Sequence, residues 1–342
     1  MESKTTTDRI NWLAILRGMT IMFVVMNHIQ LLDTSTGENH QFIETINYWL
    51  HYLRIPTFVF VSGTLLYYTR INKGWNVPDL YKDKFTRIGL PLIFCTCLGT
   101  IMQIMFNGVV KTPHPVTLES FFRSFVVIEG FPWPHRWYLM TLLTLMLLYP
   151  LYISIKKRSL SYILLVVLFL FQKTDLTGIS ETNWFHIFSI NRYIPFFVLG
   201  IVSCHYGWWT KILEHTKIIA PASWILYVIM VFMDKFFQIN EFFPFCELVG
   251  ILSMMSTAML IDKFIPSLFH SFRNYIFPIY LFGIAFQAFV ELIVWRGLGC
   301  PEQLVIPFYF INLGFGIYCP VLMGKIVERI PVKFIRQCFG IK

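Results

Sequence analysis

ILRGMTIMFVVMNHIQLL, residues 15–32, is apolar and long enough to cross a hydrocarbon core, yet it keeps an arginine at position 17 and a histidine at position 28. A charge and an imidazole are expensive in lipid, so membrane proteins seldom hold them there without a task. Eleven residues at about 100° each come within roughly 20° of three full turns, which predicts that Arg17 and His28 share one helix face, about 16 Å apart along the axis. The pair therefore predicts both a membrane helix and a functional site on it.

The rest of the chain has the same character. Of its 342 residues 56% are hydrophobic and only 14% charged, whereas soluble domains carry nearer a quarter charged. The apolar residues come in continuous runs rather than alternating ones, which predicts helices and not a barrel. The fold class expected is all-α: one polytopic integral membrane bundle, a single transmembrane domain over residues 1–342. Its ten spans are placed at about 10–32, 46–70, 86–107, 136–155, 159–173, 190–207, 217–237, 243–262, 274–296 and 303–325. The first nine residues are polar and no small-residue cleavage site follows the first run, so the first span is expected to remain as a signal anchor. The seven cysteines show neither metal spacing nor a disulfide framework and read as small buried apolar residues. The net charge of +9 does not call for nucleic acid, because the basic residues cluster between spans. With both termini in the cytoplasm, 19 of the 28 basic residues fall inside and 7 outside, Arg17 and Arg54 remaining in the membrane.

In that orientation Arg17 lies in the inner half of the first span and His28 in its outer half. Arg54, in HYLRIPTFVFVSG of the inward-running second span, reaches the depth of His28. Pro56 is expected to free a backbone carbonyl there, and Ser62 and Gly63 to permit close helix approach. A snorkelling arginine is the competing reading for Arg17, and a hydrogen-bonded core histidine for His28 alone. The loop RINKGWNVPDLYKDKFTRIGLP gathers Lys82, Lys84 and Arg87. These are either a topology signal or a phosphate-binding mouth for a large anionic donor. In WPHRWYL, His135 and Arg136 beside Trp137 are an interfacial anchor or the rim of an acceptor site. Glu247, Gln287 and Glu291 are polar residues in the outer halves of spans eight and nine, able to orient His28 or bind a hydroxyl. There is no phosphate-cradling glycine loop, zinc helix or nucleophile elbow.

These elements, in their order, resemble the family-three membrane acyltransferases that acylate bacterial sugars and polysaccharides. Arg17, Gly18, Asn27 and His28 match the family's RG…NH pattern, and RIPTFVFVSG its MPxFFxxSG pattern. RIGLP with Lys84 and Arg87 is similar to its KxxRIxxP segment, HRWYL to HLWFL, and NRYIPFFVLG, with Arg192, to its sixth-span signature. Two places depart: Arg136 replaces the leucine of HLWFL, and Gly283 stands where many relatives carry a histidine. The soluble esterase-like domain fused to some relatives is not expected here.

The resemblance implies an O-acyltransferase of the bacterial cytoplasmic (inner) membrane, most simply an O-acetyltransferase. It would move an acyl group from acetyl-CoA or another acyl-CoA, used as co-substrate, to a hydroxyl of a cell-surface polysaccharide or lipid-linked sugar. No permanently bound cofactor and no metal are expected. His28 is then the general base, Arg54 the support of the oxyanion, Arg17 an aid to donor handling, and Lys82, Lys84 and Arg87 the donor-binding cations. Ser62, His135, Trp137, Arg192 and Glu291 are acceptor-site or structural candidates. A transporter, flippase or export component for a polysaccharide is the alternative, and a non-catalytic partner in glycan assembly a third reading.

Overall fold

The computed structural model describes residues 8–29, 38–106, 117–123, 125, 136–154, 158–172, 187–237, 243–299 and 302–341. Among these there is no β-strand. The chain runs through α1 (Asp8–Asn27), α2 (Glu38–Leu50), α3 (Ile55–Leu66), α4 (Val77–Lys84), α5 (Leu90–Phe106), α6 (Leu118–Arg123), α7 (Arg136–Leu147) and α8 (Tyr149–Ser154). It continues through α9 (Arg158–Leu170), α10 (Ile187–His205), α11 (Trp208–Glu214), α12 (Thr216–Phe237), α13 (Phe243–Phe264), α14 (Ile276–Val290), α15 (Val305–Glu328) and α16 (Lys333–Cys338). An all-helical answer is what lipid demands, because a helix satisfies its backbone polar groups within one segment.

Among the described residues, five helical runs are long and apolar enough to cross a membrane: Val77–Met105, Thr216–Phe237, Pro244–Phe264, Arg273–Trp295 and Val305–Glu328. In the first of these all the charges lie before Ile88, and the 18 residues 88–105 carry none, so the crossing part begins there. The surface confirms the environment. Ile225, Ile229, Phe232 and Phe236 form an exposed stripe along α12 at helical spacing, and Leu160, Ile163, Val167 and Leu170 do so along α9. Apolar faces of that size belong against lipid. The protein is a multi-pass membrane protein.

Two compact units organise the chain. The first holds the described residues up to Val61 together with Tyr206–Ile326. In it α12 packs along α13, and α1 along α13 and α14. The start of α1 is fastened to the α13–α14 connection: Asn11 Nδ2 donates to the Asp262 carboxylate and, at 3.2 Å, to the Pro266 carbonyl. Gly18 leaves room for Phe269, whose ring would lie 2.9 Å from a Cβ there and whose own backbone takes the left-handed conformation at φ 64°. Tyr48 of α2 and Tyr52, in the break just past it, both donate to buried Asp234 of α12, at 3.0 and 2.6 Å.

The second unit comprises Ser62–His205 and Val327–Lys342. Its tightest crossing is α3 on α10, where a Cβ at Gly63 would stand 2.1 Å from the Phe197 carbonyl oxygen. The Ser62–Gly63 pair thus gives the close approach expected of it. Phe169 of α9 meets Phe196 of α10 at 5.4 Å, and Phe94 of α5 meets Phe339, just past α16, at 4.9 Å.

The stretch read as one span over 46–70 is two helices, since α2 ends at Leu50 and α3 begins at Ile55. Pro56 sits in the first turn of α3, where its missing N–H is one that no helix would satisfy. It therefore starts a helix and frees no carbonyl in mid-span. The stretch 136–155 likewise divides at Leu148, between α7 and α8.

Candidate active site

His28 follows directly on α1, its backbone N–H bonding the Val25 carbonyl at 3.1 Å in a tightened last turn. Arg17 lies inside α1, one residue before the Gly18 that makes room for Phe269. Both side chains are half-buried. Arg54 closes the break between α2 and α3. Its carbonyl accepts the Phe58 N–H at 3.0 Å, opening α3, while its Nη2 donates to His51 Nδ1 at 3.3 Å. Only 6% exposed, its guanidinium acts electrostatically on His28, Tyr227 and Tyr309. The first unit thus holds Arg54 and His28 within electrostatic range of each other.

Around the same end of α1 the first unit buries further polar groups. Gln287 of α14 donates its Nε2–H to the Val25 carbonyl at 3.2 Å, the carbonyl that also receives the His28 N–H. Glu291 and Glu247 are buried as well. Gln287 Oε1, Trp295 Nε1, Tyr309 Oη and both amide atoms of Asn312 are buried with no hydrogen-bond partner among the described residues. Each such group costs about 1–3 kcal/mol if nothing satisfies it. Gln287 and Glu291 are among the candidates that the sequence offers, and Tyr309 and Asn312 are not. A signal for Asn312 existed, a lone amide in the apolar run VIPFYFINLGFGIYCPVL. Gly283 lets α14 meet α15: a Cβ there would lie 2.7 Å from the Gly316 carbonyl oxygen, so no larger residue fits, histidine included.

In the second unit the basic loop is built around a carboxylate. Asp83 accepts from Arg70 Nη2 at 2.9 Å and from Arg87 Nε at 2.8 Å, with Lys84 Nζ at 3.9 Å. Arg70 also lies 3.8 Å from the centre of the Trp75 ring. Three cations on one anion leave a surplus of positive charge. Arg87, with its side chain 47% exposed, and exposed Lys82 carry that surplus to the surface. Lys84, just before the crossing part of its helix, is pulled from the ordinary lysine value down to about 8. Burial is the main cause, Asp83 opposes it, and Arg70 and Arg87 add to it. Arg70, Asp83 and Trp75 do not stand out in the sequence, where the run of basic residues hides the acid that gathers them.

A second cluster in this unit joins three of the candidates. Ser62 Oγ and Tyr138 Oη share a hydrogen bond at 3.1 Å, Trp137 stacks on Tyr193 at 5.7 Å, and Arg192 lies 5.4 Å from the Tyr193 ring centre. Arg136, read as an interfacial anchor or the rim of an acceptor site, is 1% exposed and donates from Nη1 to Thr96 Oγ1 of α5 at 2.8 Å. His135 lies outside the described residues. Among the described residues no group of three or more His, Cys, Asp or Glu is placed to hold a metal ion.

A family model described as an acyltransferase domain matches residues 10–325. No curated protein and no solved structure matches the chain.

Proposed function

The chain belongs to the acyltransferase family whose model spans it, and from that premise we propose an O-acyltransferase of the bacterial inner membrane, drawing on acyl-CoA and delivering to a hydroxyl of a surface glycan or lipid-linked sugar. His28, held at the end of α1 within electrostatic reach of buried Arg54, is the observation that carries the reading. His28 takes the proton of the acceptor hydroxyl as its oxygen attacks the thioester carbonyl. Arg54 stabilises the oxyanion that forms. The carbon–sulfur bond then breaks, and the coenzyme A thiolate leaves with the proton carried by His28. An oxygen ester and free coenzyme A are the products.

Lys82, Lys84 and Arg87 hold donor phosphates, because clustered cations make charge-assisted bonds to phosphate oxygens. Arg70 joins them, positioned by Asp83 and Trp75. Glu291 supports the unit that holds His28, and Ser62, Trp137 and Arg192 support the unit that holds the basic cluster. Labelled acetyl-CoA supplied to membranes containing the protein tests the proposal. The His28→Ala variant is expected to insert normally and to lose at least about a hundredfold of acyl incorporation, the scale of a missing general base. Undiminished incorporation would overturn the assignment. Glycan accumulating on the inner face without a change in acylation would point to export instead.

A further inference from the structure

The buried polar atoms around His28 have a chemistry of their own. Tyr309, Asn312 and Gly316 share one face of α15, at spacings of three and four residues. Gln287 stands opposite that face, since a Cβ on Gly316 would touch its amide at 2.8 Å. Tyr309 packs in one cluster with Trp295, Phe308 and Ile29, the residue after His28. Gln287 reaches α1 itself through the Val25 carbonyl. Side chains from α14, α15 and the turn after α14 therefore converge on the end of α1, within a single compact unit.

All four polar side chains are at most 1% exposed, and each keeps at least one polar atom with no partner among the described residues. Chains rarely leave so many such atoms in one neighbourhood unless something else satisfies them. The atoms are mixed in kind. Gln287 Oε1 and Asn312 Oδ1 accept, Asn312 Nδ2 and Trp295 Nε1 donate, and the Tyr309 hydroxyl does both. Not one of the four carries a charge, and aromatic faces from Trp295 and Phe308, 4.7 Å apart, adjoin them. Neutral donors and acceptors interleaved beside aromatic rings suit a ring of hydroxyls, and the nearby Arg54 guanidinium is the charge that acts on Tyr309.

We infer that Gln287, Trp295, Tyr309 and Asn312 form the subsite that binds the hydroxyls of a neutral sugar ring next to His28, an inference that rests on the reading of this chain as a sugar O-acyltransferase. Asn312, between Tyr309 and Gly316 on the shared face of α15, is a binding residue. The subsite fixes which hydroxyl faces the base, and so the position of acylation.

Equilibrium dialysis of tritiated methyl glucoside against the full-length protein in nanodiscs, without any acyl donor, tests it. The wild type is expected to bind at millimolar concentration, and Asn312→Leu and Gln287→Leu to weaken binding at least about tenfold, the loss from one missing buried hydrogen bond. The thermal midpoint of Asn312→Leu is expected at or above that of the wild type, because leucine removes an amide unpartnered within the protein. Binding unchanged in both variants overturns the subsite, as does a wild type that binds no methyl glucoside. A fall in the Asn312→Leu midpoint, which would mark an amide already bonded inside the protein, overturns it as well. Because no donor is present, a failure of acyl transfer with sugar binding intact would defeat the reaction and leave the subsite standing.

Discussion

Gly283 decides what chemistry α14 can offer. With a Cβ only 2.7 Å from the Gly316 carbonyl oxygen, the α14–α15 crossing is backbone against backbone. The sequence marked this position as a departure from relatives that carry histidine, and the structure supplies the reason: the space belongs to α15. Gly283→His is therefore expected not to add a second base but to destabilise the protein by about 3 kcal/mol or more, at the upper end of overpacking costs. A thermal midpoint lowered by many degrees in detergent would bear this out. A stable Gly283→His protein with enhanced activity would show that the crossing opens. His28 and Arg54 were legible one by one, because a histidine and an arginine stand out in apolar sequence. Tyr309 and Trp295 were not, since an aromatic residue with a polar tip looks the same on a lipid face as on a buried polar one.

Among elements, the helices after residue 215 follow the hydropathy within a few residues, each being one long apolar run between polar turns. The break between α2 and α3 did not show, because four residues spanning His51–Arg54 hold too little polarity to interrupt an apolar window. Arg54 is buried at that break, where its carbonyl opens the new helix, a role that shows only in the structure. The segment joining α3 to α5 shows the same limit: Asp83 gathers Arg70, Lys84 and Arg87 across thirteen residues of chain or fewer. Its consequence for function lies in Lys84. An ammonium binds phosphate only when protonated, and burial has lowered its pKa to about 8. Charge is therefore present below that pH and lost as the pH rises through it, far earlier than for an ordinary lysine. The value of kcat/KM for acyl-CoA, which reports the free enzyme, is expected to fall by half near pH 8 and further above it. Lys84→Arg, whose guanidinium stays charged, is expected to remove this alkaline limb. A limb unaltered in Lys84→Arg would take Lys84 out of donor binding.

At the scale of the molecule, the division of the chain into two compact units sets the candidate base and sugar subsite in one and the basic cluster in the other. The unit boundary falls within α3, between Val61 and Ser62, so the segment carrying Arg54 and Ser62 contributes to both. Composition revealed the membrane at once but not this division, because packing between helices leaves no periodic trace that lipid contact does not also leave. Orientation is where sequence and structure combine into a test. The turn after α13 is flanked by Lys263 and Arg273, whereas the turn after α14 carries Arg296, and the bias of basic residues puts the first in the cytoplasm. Ser267 and Leu298 are exposed in those two turns, at opposite ends of the helical run Arg273–Trp295. With Cys97, Cys300 and Cys319 replaced by serine to lower background, Leu298→Cys is expected to react with a membrane-impermeant maleimide in intact cells. Ser267→Cys is expected to react only after permeabilisation. The reverse pattern would invert the protein, put His28 on the cytoplasmic side, and require the acceptor to be acylated before export.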